Sequence, residues 1–381
     1  MNTLPIDADR ALLVGRVHVE GTGALLVHVS RDTVHDISLL AQTCSDLLEM
    51  PDLPQLVRSF RGKLLGTTQE ILANSAHDKR DAHKPWFLAP CDLQAIKAAG
   101  VTFVSSMLER VIEEQARGDA SKAQAVRAAV VGVIGENLAA VKPGSPEAAR
   151  LKEVLIAQGV WSQYLEVGIG PDAEIFTKSQ PMSAVGTGSE IGIHPKSEWN
   201  NPEPEIVLAV NSQGETVGAT LGNDVNLRDF EGRSALLLSK AKDNTGSCAI
   251  GPFIRIFDDD FTIDDVRRCD LAMKVTGTDG FVMEGSSSIS KISRDPLDLV
   301  AQAINGNHQY PDGFVLFLGT MFAPVQDRFG PGQGFTHAVG DVVEISTPKL
   351  GTLSNRVNTS DKVAPWNYGV RALMRDLARR N

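Results

Sequence analysis

The chain has 381 residues, 42% of them hydrophobic and 22% charged, which supplies apolar material for a substantial core and excludes a disordered or fibrous polymer. Lys and Arg number 37 against 47 Asp and Glu, and the net charge of −10 leaves no phosphate-neutralising surplus, so nucleic acid is not expected as a partner. For this length two domains is the natural expectation.

The opening MNTLPIDADR carries acids where an export signal would be basic and then apolar. From Ala11 to Leu40, the runs ALLVGRVHV and ALLVHVS flank Glu20-Gly21-Thr22-Gly23 and predict a hairpin followed by another strand. Residues 43–72 have apolar positions at helical spacing, and the polar run 77–84 reads as a connector. A small N-terminal β-rich domain over 1–92 is therefore expected. Between 93 and 165 the composition shifts to Ala, Glu, Gln, Lys and Arg, and the periodicity predicts helices over 105–117, 120–141 and 146–158. Ser145 and Pro146 give the last one a start signal. The most apolar stretch, 128–134, is broken by Gly132 and falls far short of a bilayer span, so no membrane partner is expected.

Over 166–381 the signal is mostly β: EIVLAVN (205–211), TVGATLG (216–222), CAIGPFI (248–254), LAMKVTG (271–277), FVLFLGT (314–320) and DVVEIST (341–347). One helix is expected over 295–304, capped by Asp295 with Pro296 first. Strands and helices do not alternate regularly, which disfavours a doubly wound sheet and predicts an α+β, β-rich mixed roll for this catalytic-type region. Cys44, Cys91, Cys248 and Cys269 are far apart and lack C-x-x-C spacing, as suits a reducing, cytoplasmic location.

The most informative segment is Glu203-Pro204-Glu205. Residues two apart on an extended chain share a face, so these carboxylates stand side by side, and close carboxylates persist by sharing a proton or a cation. Asp224, at the end of the next β run, is the candidate third ligand of a hard ion such as Mg²⁺; the competing reading is a solvated strand face.

Glu203, Glu205, Gly218, Asn223, Asp224, Arg228, Asp229, Lys242, Gly251 and Pro252, together with Phe176-Thr177-Lys178 upstream and Leu318-Gly319-Thr320 downstream, form an ordered pattern that resembles the fumarylacetoacetate hydrolase family over most of 95–381. The resemblance implies that family's fold, a homodimer or homotetramer, and Mg²⁺ (Mn²⁺ as a substitute) on Glu203, Glu205 and Asp224. Hydrolases of the family carry a His and a Glu that activate water; the matching stretch here is Gly100 to Glu109, with Ser106 in the place of the His. Without that imidazole a C–C hydrolase lacks its general base. The pattern instead resembles the family's sugar-acid dehydratases, implying a small anionic 2-keto sugar-acid substrate and conversion of a 2-keto-3-deoxy-D-pentonate (2-keto-3-deoxy-D-xylonate or D-arabinonate) to 2,5-dioxopentanoate.

On that reading Lys242, with a pKa depressed by the cation, or Glu174 takes the C3 proton, and Glu109 assists. Ser106, Lys178, Thr320 and Thr336 contact the substrate, Lys178 as a clamp on its carboxylate. The structural alternatives are an ion pair for Lys242, a strand-turn cap for Glu174, a solvated helix face for Glu109 and simple surface charge for Lys178. An acylpyruvate or fumarylacetoacetate-type hydrolase and a non-catalytic metabolite-binding protein are the rival functions. The Gly330–Gly334 run lacks the strand and helix that a dinucleotide loop requires.

Overall fold

The computed structural model describes residues 3–123, 126–127, 141–157, 159, 161–322 and 324–380. Most of the helix expected over 120–141 lies outside the described residues. Among them, two sheets carry the architecture. The larger has 11 strands, in the order Lys63–Thr67, Thr33–Asp36, Gly23–Val29, Leu13–Val19, Cys248–Ile256, Thr216–Asp224, Pro204–Val210, Phe314–Phe317, Ala95–Gly100 and Glu174–Ser179, with Trp86–Leu88 added to Leu13–Val19. The smaller runs Val282–Ser288, Asp270–Thr276, Val342–Thr347, Gly351–Thr359 and Glu190–Ile193. Neighbouring strands are antiparallel except Phe314–Phe317 with Ala95–Gly100 and Gly351–Thr359 with Glu190–Ile193.

The sequence pattern explains which strands lie deepest. Pro204–Val210 is buried at every position, as a strand covered on both faces must be, and it reads as an unbroken apolar run after Glu205. Asp270–Thr276 instead alternates, turning Leu271, Met273 and Val275 inward and leaving the intervening residues outside. These three pack with Ile206, Leu208 and Leu221 of the larger sheet and with Val343 and Ile345, so the two sheets share one core.

The predicted hairpin is present, with Leu13 opposite Val29 and Val19 opposite Gly23, and Gly21 and Gly23 take the positive φ angles (72° and 87°) of the turn. The expectation of a separate N-terminal unit over 1–92 changes, however. Leu13 and Val14 pair with Arg255 and Ile254, so the N-terminal strands extend the main sheet. Arg255 is fully buried at this seam and donates to both carboxylate oxygens of Asp7. Ala95–Gly100, inside the stretch expected to be helical, is likewise a strand of that sheet.

The helices Val104–Gln115, Pro146–Ala157 and Gln163–Ile169 form a smaller core of their own, with Met107, Val111 and Ile112 against Leu155, Leu165 and Ile169. Ser145 caps its helix by accepting from the Ala148 amide, and Asp295 caps Pro296–Ala303 by accepting from Leu297. No helix among the described residues is long and apolar enough to cross a membrane.

Candidate metal centre

Two adjacent antiparallel strands build the centre. Pro204 lies opposite Asn223 and Glu205 opposite Gly222, and the Asp224 amide donates to the Glu203 carbonyl at 3.0 Å. The hairpin return therefore delivers Asp224 beside the two glutamates. One carboxylate oxygen from each of Glu203, Glu205 and Asp224 lies within 4.8 Å of the others, and all three residues are buried.

Cations surround this cluster without neutralising it. The Lys242 ammonium donates to Glu203 Oε2 at 2.5 Å and Asp224 Oδ2 at 3.0 Å. Lys178 Nζ lies 3.1 Å from Asp224 Oδ1, and Arg110 pairs with Glu203, Glu113 and Glu231. Glu205 accepts only neutral donors, the Gly319 amide at 2.7 Å and the Thr320 hydroxyl at 3.3 Å. Counting Glu174 and Glu231, five carboxyl groups meet three cations, a surplus of two. The neighbouring Glu109 and Glu113 do not alter it, because Arg127 and Arg228 balance them.

Burial first, then the charges of Asp224 and Glu203, pushes the Glu205 carboxyl far above its usual range. Burial opposes ionisation of Glu203 too, but Arg110 and Lys242 outweigh it and hold that carboxyl at about 2. A buried set of three carboxylates, in which acids outnumber the neighbouring cations by two and one carboxyl is pushed far above its range by burial and by the other two, is fit for a hard divalent cation.

The triad faces a cavity lined also by Gly100, Ser106, Arg110, Glu174, Phe176, Glu231, Lys242 and Thr320. Glu174 sits at the end of a strand, opposite Gly100. Burial, reinforced by Glu231, raises its carboxyl to about 7. A Cβ at Gly100 would lie 1.8 Å from Glu174 Oε2, so the missing side chain is what admits the carboxyl group. Gly100→Ala is expected to fold, to displace Glu174 and to lower turnover by up to about 10²-fold, the cost of an ångström-scale misplacement. Steady-state kinetics beside a melting curve would separate this from simple loss of stability.

The other expected residues divide. Ser106 lines the cavity, with its hydroxyl donating to the Phe103 carbonyl, and Thr320 reaches Glu205. Lys242 lines the cavity too, and the depressed pKa expected for it belongs to the cation-loaded site, not to the metal-free one. Burial would lower it, yet Asp224 and Glu203 more than compensate and hold the ammonium above its ordinary value. Glu109 does not line the cavity; it is tied to Arg127 and to Arg228, whose Nη2 is 3.1 Å away. Thr336 accepts from the Asn200 amide, away from the cavity.

Lys178 is neither a surface charge nor a group open to a substrate carboxylate. It is completely buried, and its amine is occupied by Asp224, the Lys242 and Val225 carbonyls and the Ser247 hydroxyl. Glu174 and Phe176 share the strand face that lines the cavity, and Lys178, at a register irregularity two residues further on, meets Asp224 instead. Removing one partner of a buried ion pair costs about 3–5 kcal/mol. Lys178→Met is thus expected to lose stability of that order in urea unfolding, which would fail as a prediction if only KM rose.

Arg110 and Glu231 were not anticipated. Ser106 and Arg110 are four apart on the helix Val104–Gln115 and share the face that meets the cavity, whereas Glu109 is rotated by about 100°. That i, i+4 relation was the available signal. For Glu231, on the short helix Arg228–Glu231, local sequence offered none.

Fold and site together define a sheet-rich protein, built among the described residues on two large sheets, with a buried triad of carboxylates suited to a divalent cation. Residues 158–358 match the family described as fumarylacetoacetate (FAA) hydrolase C-terminal, and the chain belongs to that family. It is 33% identical over 190 residues to the 2-dehydro-3-deoxy-D-arabinonate dehydratase of Saccharolobus solfataricus, covering 50% of this chain and 60% of the relative. It is 32% identical over 196 residues to "Probable 2-keto-3-deoxyxylonate dehydratase" of Haloferax volcanii, covering 51% and 64%. The matched region thus spans less than two thirds of each relative. Among solved structures, 2-keto-3-deoxy-D-arabinonate dehydratase complexed with magnesium and 2,5-dioxopentanoate superposes with a TM-score of 0.61 at 21% identity, over 91% of this chain and 99% of that one. The fumarylacetoacetate hydrolase of Exiguobacterium antarcticum follows with 0.54 and 16% identity, over 92% and 100%. Both carry the same fold.

Proposed function

We propose that the protein is a Mg²⁺-dependent hydro-lyase that converts a 2-keto-3-deoxy-D-pentonate to 2,5-dioxopentanoate. The observation that carries the reading is the chemistry of the cavity: the triad faces carboxyl groups, an ammonium and a guanidinium, and no imidazole among the described residues lines it. That set is suited to moving protons on a substrate and lacks the water-activating histidine of the hydrolases. The dehydratase names of the two relatives, and the magnesium and 2,5-dioxopentanoate bound in the structural neighbour, support the same class.

Glu203, Glu205 and Asp224 would hold the cation, whose Lewis acidity makes the C3 protons of a bound 2-keto acid removable by a modest base. Glu174, with its carboxyl near neutrality, takes a proton from C3. The Lys242 ammonium gives its proton to the C4 hydroxyl, which leaves as water while the C3–C4 double bond forms. Transfer of a proton from C5 to C3 then shifts the double bond to C4–C5, and the enol so formed loses its C5 hydroxyl proton and gains a proton at C4 to give the C5 aldehyde. Arg110 holds Glu203 and Glu231 in place.

Incubation with 2-keto-3-deoxy-D-xylonate and Mg²⁺ is expected to release a semialdehyde, and EDTA to abolish it. Faster C–C cleavage of an acylpyruvate would overturn the reading in favour of a hydrolase. Product formation indifferent to chelation would remove the metal from it.

A further inference from the structure

A second cavity, of about 370 Å³, shares no lining residue with the metal centre. Its volume falls in the range of small-molecule sites. One wall comes from the N-terminal strands: Arg16 and His18 are two apart on Leu13–Val19, opposite Leu88 and Trp86, so all four project to one side. The facing wall is formed by 182–186 and Ser189–Glu190, and residues 363–368, with Trp366 and Tyr368, complete the rim.

The walls combine aromatic surface with unsatisfied nitrogen. The His18 ring stacks on Trp86 at 4.2 Å, Tyr368 meets His18 edge-on at 5.9 Å, and the Arg80 guanidinium lies 5.3 Å from the Trp86 ring centre. Three buried nitrogen atoms on three of these side chains have no partner: Arg16 Nη2, His18 Nδ1 and Arg80 Nε. Buried polar groups are ordinarily satisfied, and three orphans, all closed off from solvent, leave the walls of this cavity rich in uncompensated nitrogen.

The charges select its sign. Arg16 is 5% exposed; its Nε faces Asp92 at 3.4 Å and its Nη1 donates to the Ala89 and Cys91 carbonyls, leaving Nη2 over. Arg80 donates to the Ser75 carbonyl and the Ser189 hydroxyl, and to no carboxylate among the described residues. The one acid in the lining, Glu190, is engaged by Asn358 at 2.9 Å and lies 3.4 Å from His77 Nε2. One uncompensated guanidinium therefore remains beside a flat aromatic wall.

We infer that this cavity is a second binding site, for a small planar carboxylate whose oxygens meet the Arg80 guanidinium while its conjugated plane lies against Trp86 and Trp366. Arginine suits a carboxylate because its fork of donors matches two oxygens, and aromatic faces favour a flat ligand over a puckered one.

Benzoate is the probe, titrated calorimetrically into the full chain with EDTA present, so that no cation at the metal centre can hold it. Saturable binding is expected, unchanged in Glu205→Gln, at least tenfold weaker in Arg80→Gln, and weakened in Trp366→Ala, whose exposed ring can be removed without disturbing the core. Benzamide, lacking the charge, and cyclohexanecarboxylate, lacking the plane, are expected to bind at least tenfold more weakly than benzoate. Absence of benzoate binding to folded protein, loss of it in Glu205→Gln, or equal binding of inorganic phosphate would each overturn the inference. So would a dimer that buries Trp366 and dissociates in Arg80→Gln.

Discussion

Glu205→Gln is expected to lower kcat/KM for the sugar acid by at least about 10³-fold, because the Lewis acidity of a bound cation contributes several kcal/mol to stabilising the developing charge. The amide keeps the shape and can still accept from the Gly319 amide and the Thr320 hydroxyl, so the loss reports charge and coordination and not collapse of the strand. A second readout needs no substrate. Mg²⁺ at 100 times its dissociation constant stabilises a protein by about 2.7 kcal/mol, and this shift should be present in the wild type and largely absent in Glu205→Gln. Without metal the ordering should reverse: the variant removes one of three crowded carboxylates and should melt above the wild type. A variant that kept the full Mg²⁺ shift would show that the cation binds elsewhere.

Glu174→Gln should reduce kcat by about 10²- to 10⁴-fold, the usual contribution of a positioned general base, with a smaller effect on KM. The wild-type rate should climb with pH through the ionisation of Glu174, which lies at about 7 without metal and is drawn lower by a nearby cation, and that limb should vanish in the variant. A limb that persisted would assign the base to another group. Stability supplies an independent check on the metal-free protein. Burial raises the folded-state carboxyl from 4.5 to about 7, so folding is favoured below 4.5, where the group is protonated in both states, and the benefit is lost as pH rises through 7. Glu174→Gln should therefore match the wild type near pH 4 and exceed it at pH 8 by up to about 3 kcal/mol, at about 1.4 kcal/mol per pKa unit.

How much of this was legible in the sequence depended on the range over which each feature is decided. The metal triad lies on one hairpin. Alternation along Glu203–Glu205 puts two carboxylates on one face and an antiparallel return can bring Asp224 alongside, so spacing made the triad a candidate beside a solvated strand face and the resemblance chose it. The same local logic held for the N-terminal hairpin and for the helices begun by Ser145 and Asp295. It failed where a side chain's role is set by what packs behind it. Lys178 belongs to the Phe176-Thr177-Lys178 segment of the resemblance, on which a substrate clamp was expected, yet folding buried it against Asp224. Glu109 was singled out while its neighbour Arg110 lines the cavity, a difference of one helical step that the resemblance did not resolve.

By itself the sequence determined the sheet-rich class, through periodicity, the carboxylates that can hold a cation, which lie close together on one hairpin, and the family, through the resemblance of an ordered set of motifs over most of 95–381. Only the tertiary structure decided that the N-terminal strands join the main sheet, since any strand edge offers the same amides and carbonyls to any other and register does not mark the partner. It also decided which charged groups confront one another inside. Arg110, Lys178, Lys242, Glu174 and Glu231 come from distant segments, and the excess of two carboxyl groups over cations around the triad exists only once folding has brought them together without water to screen them.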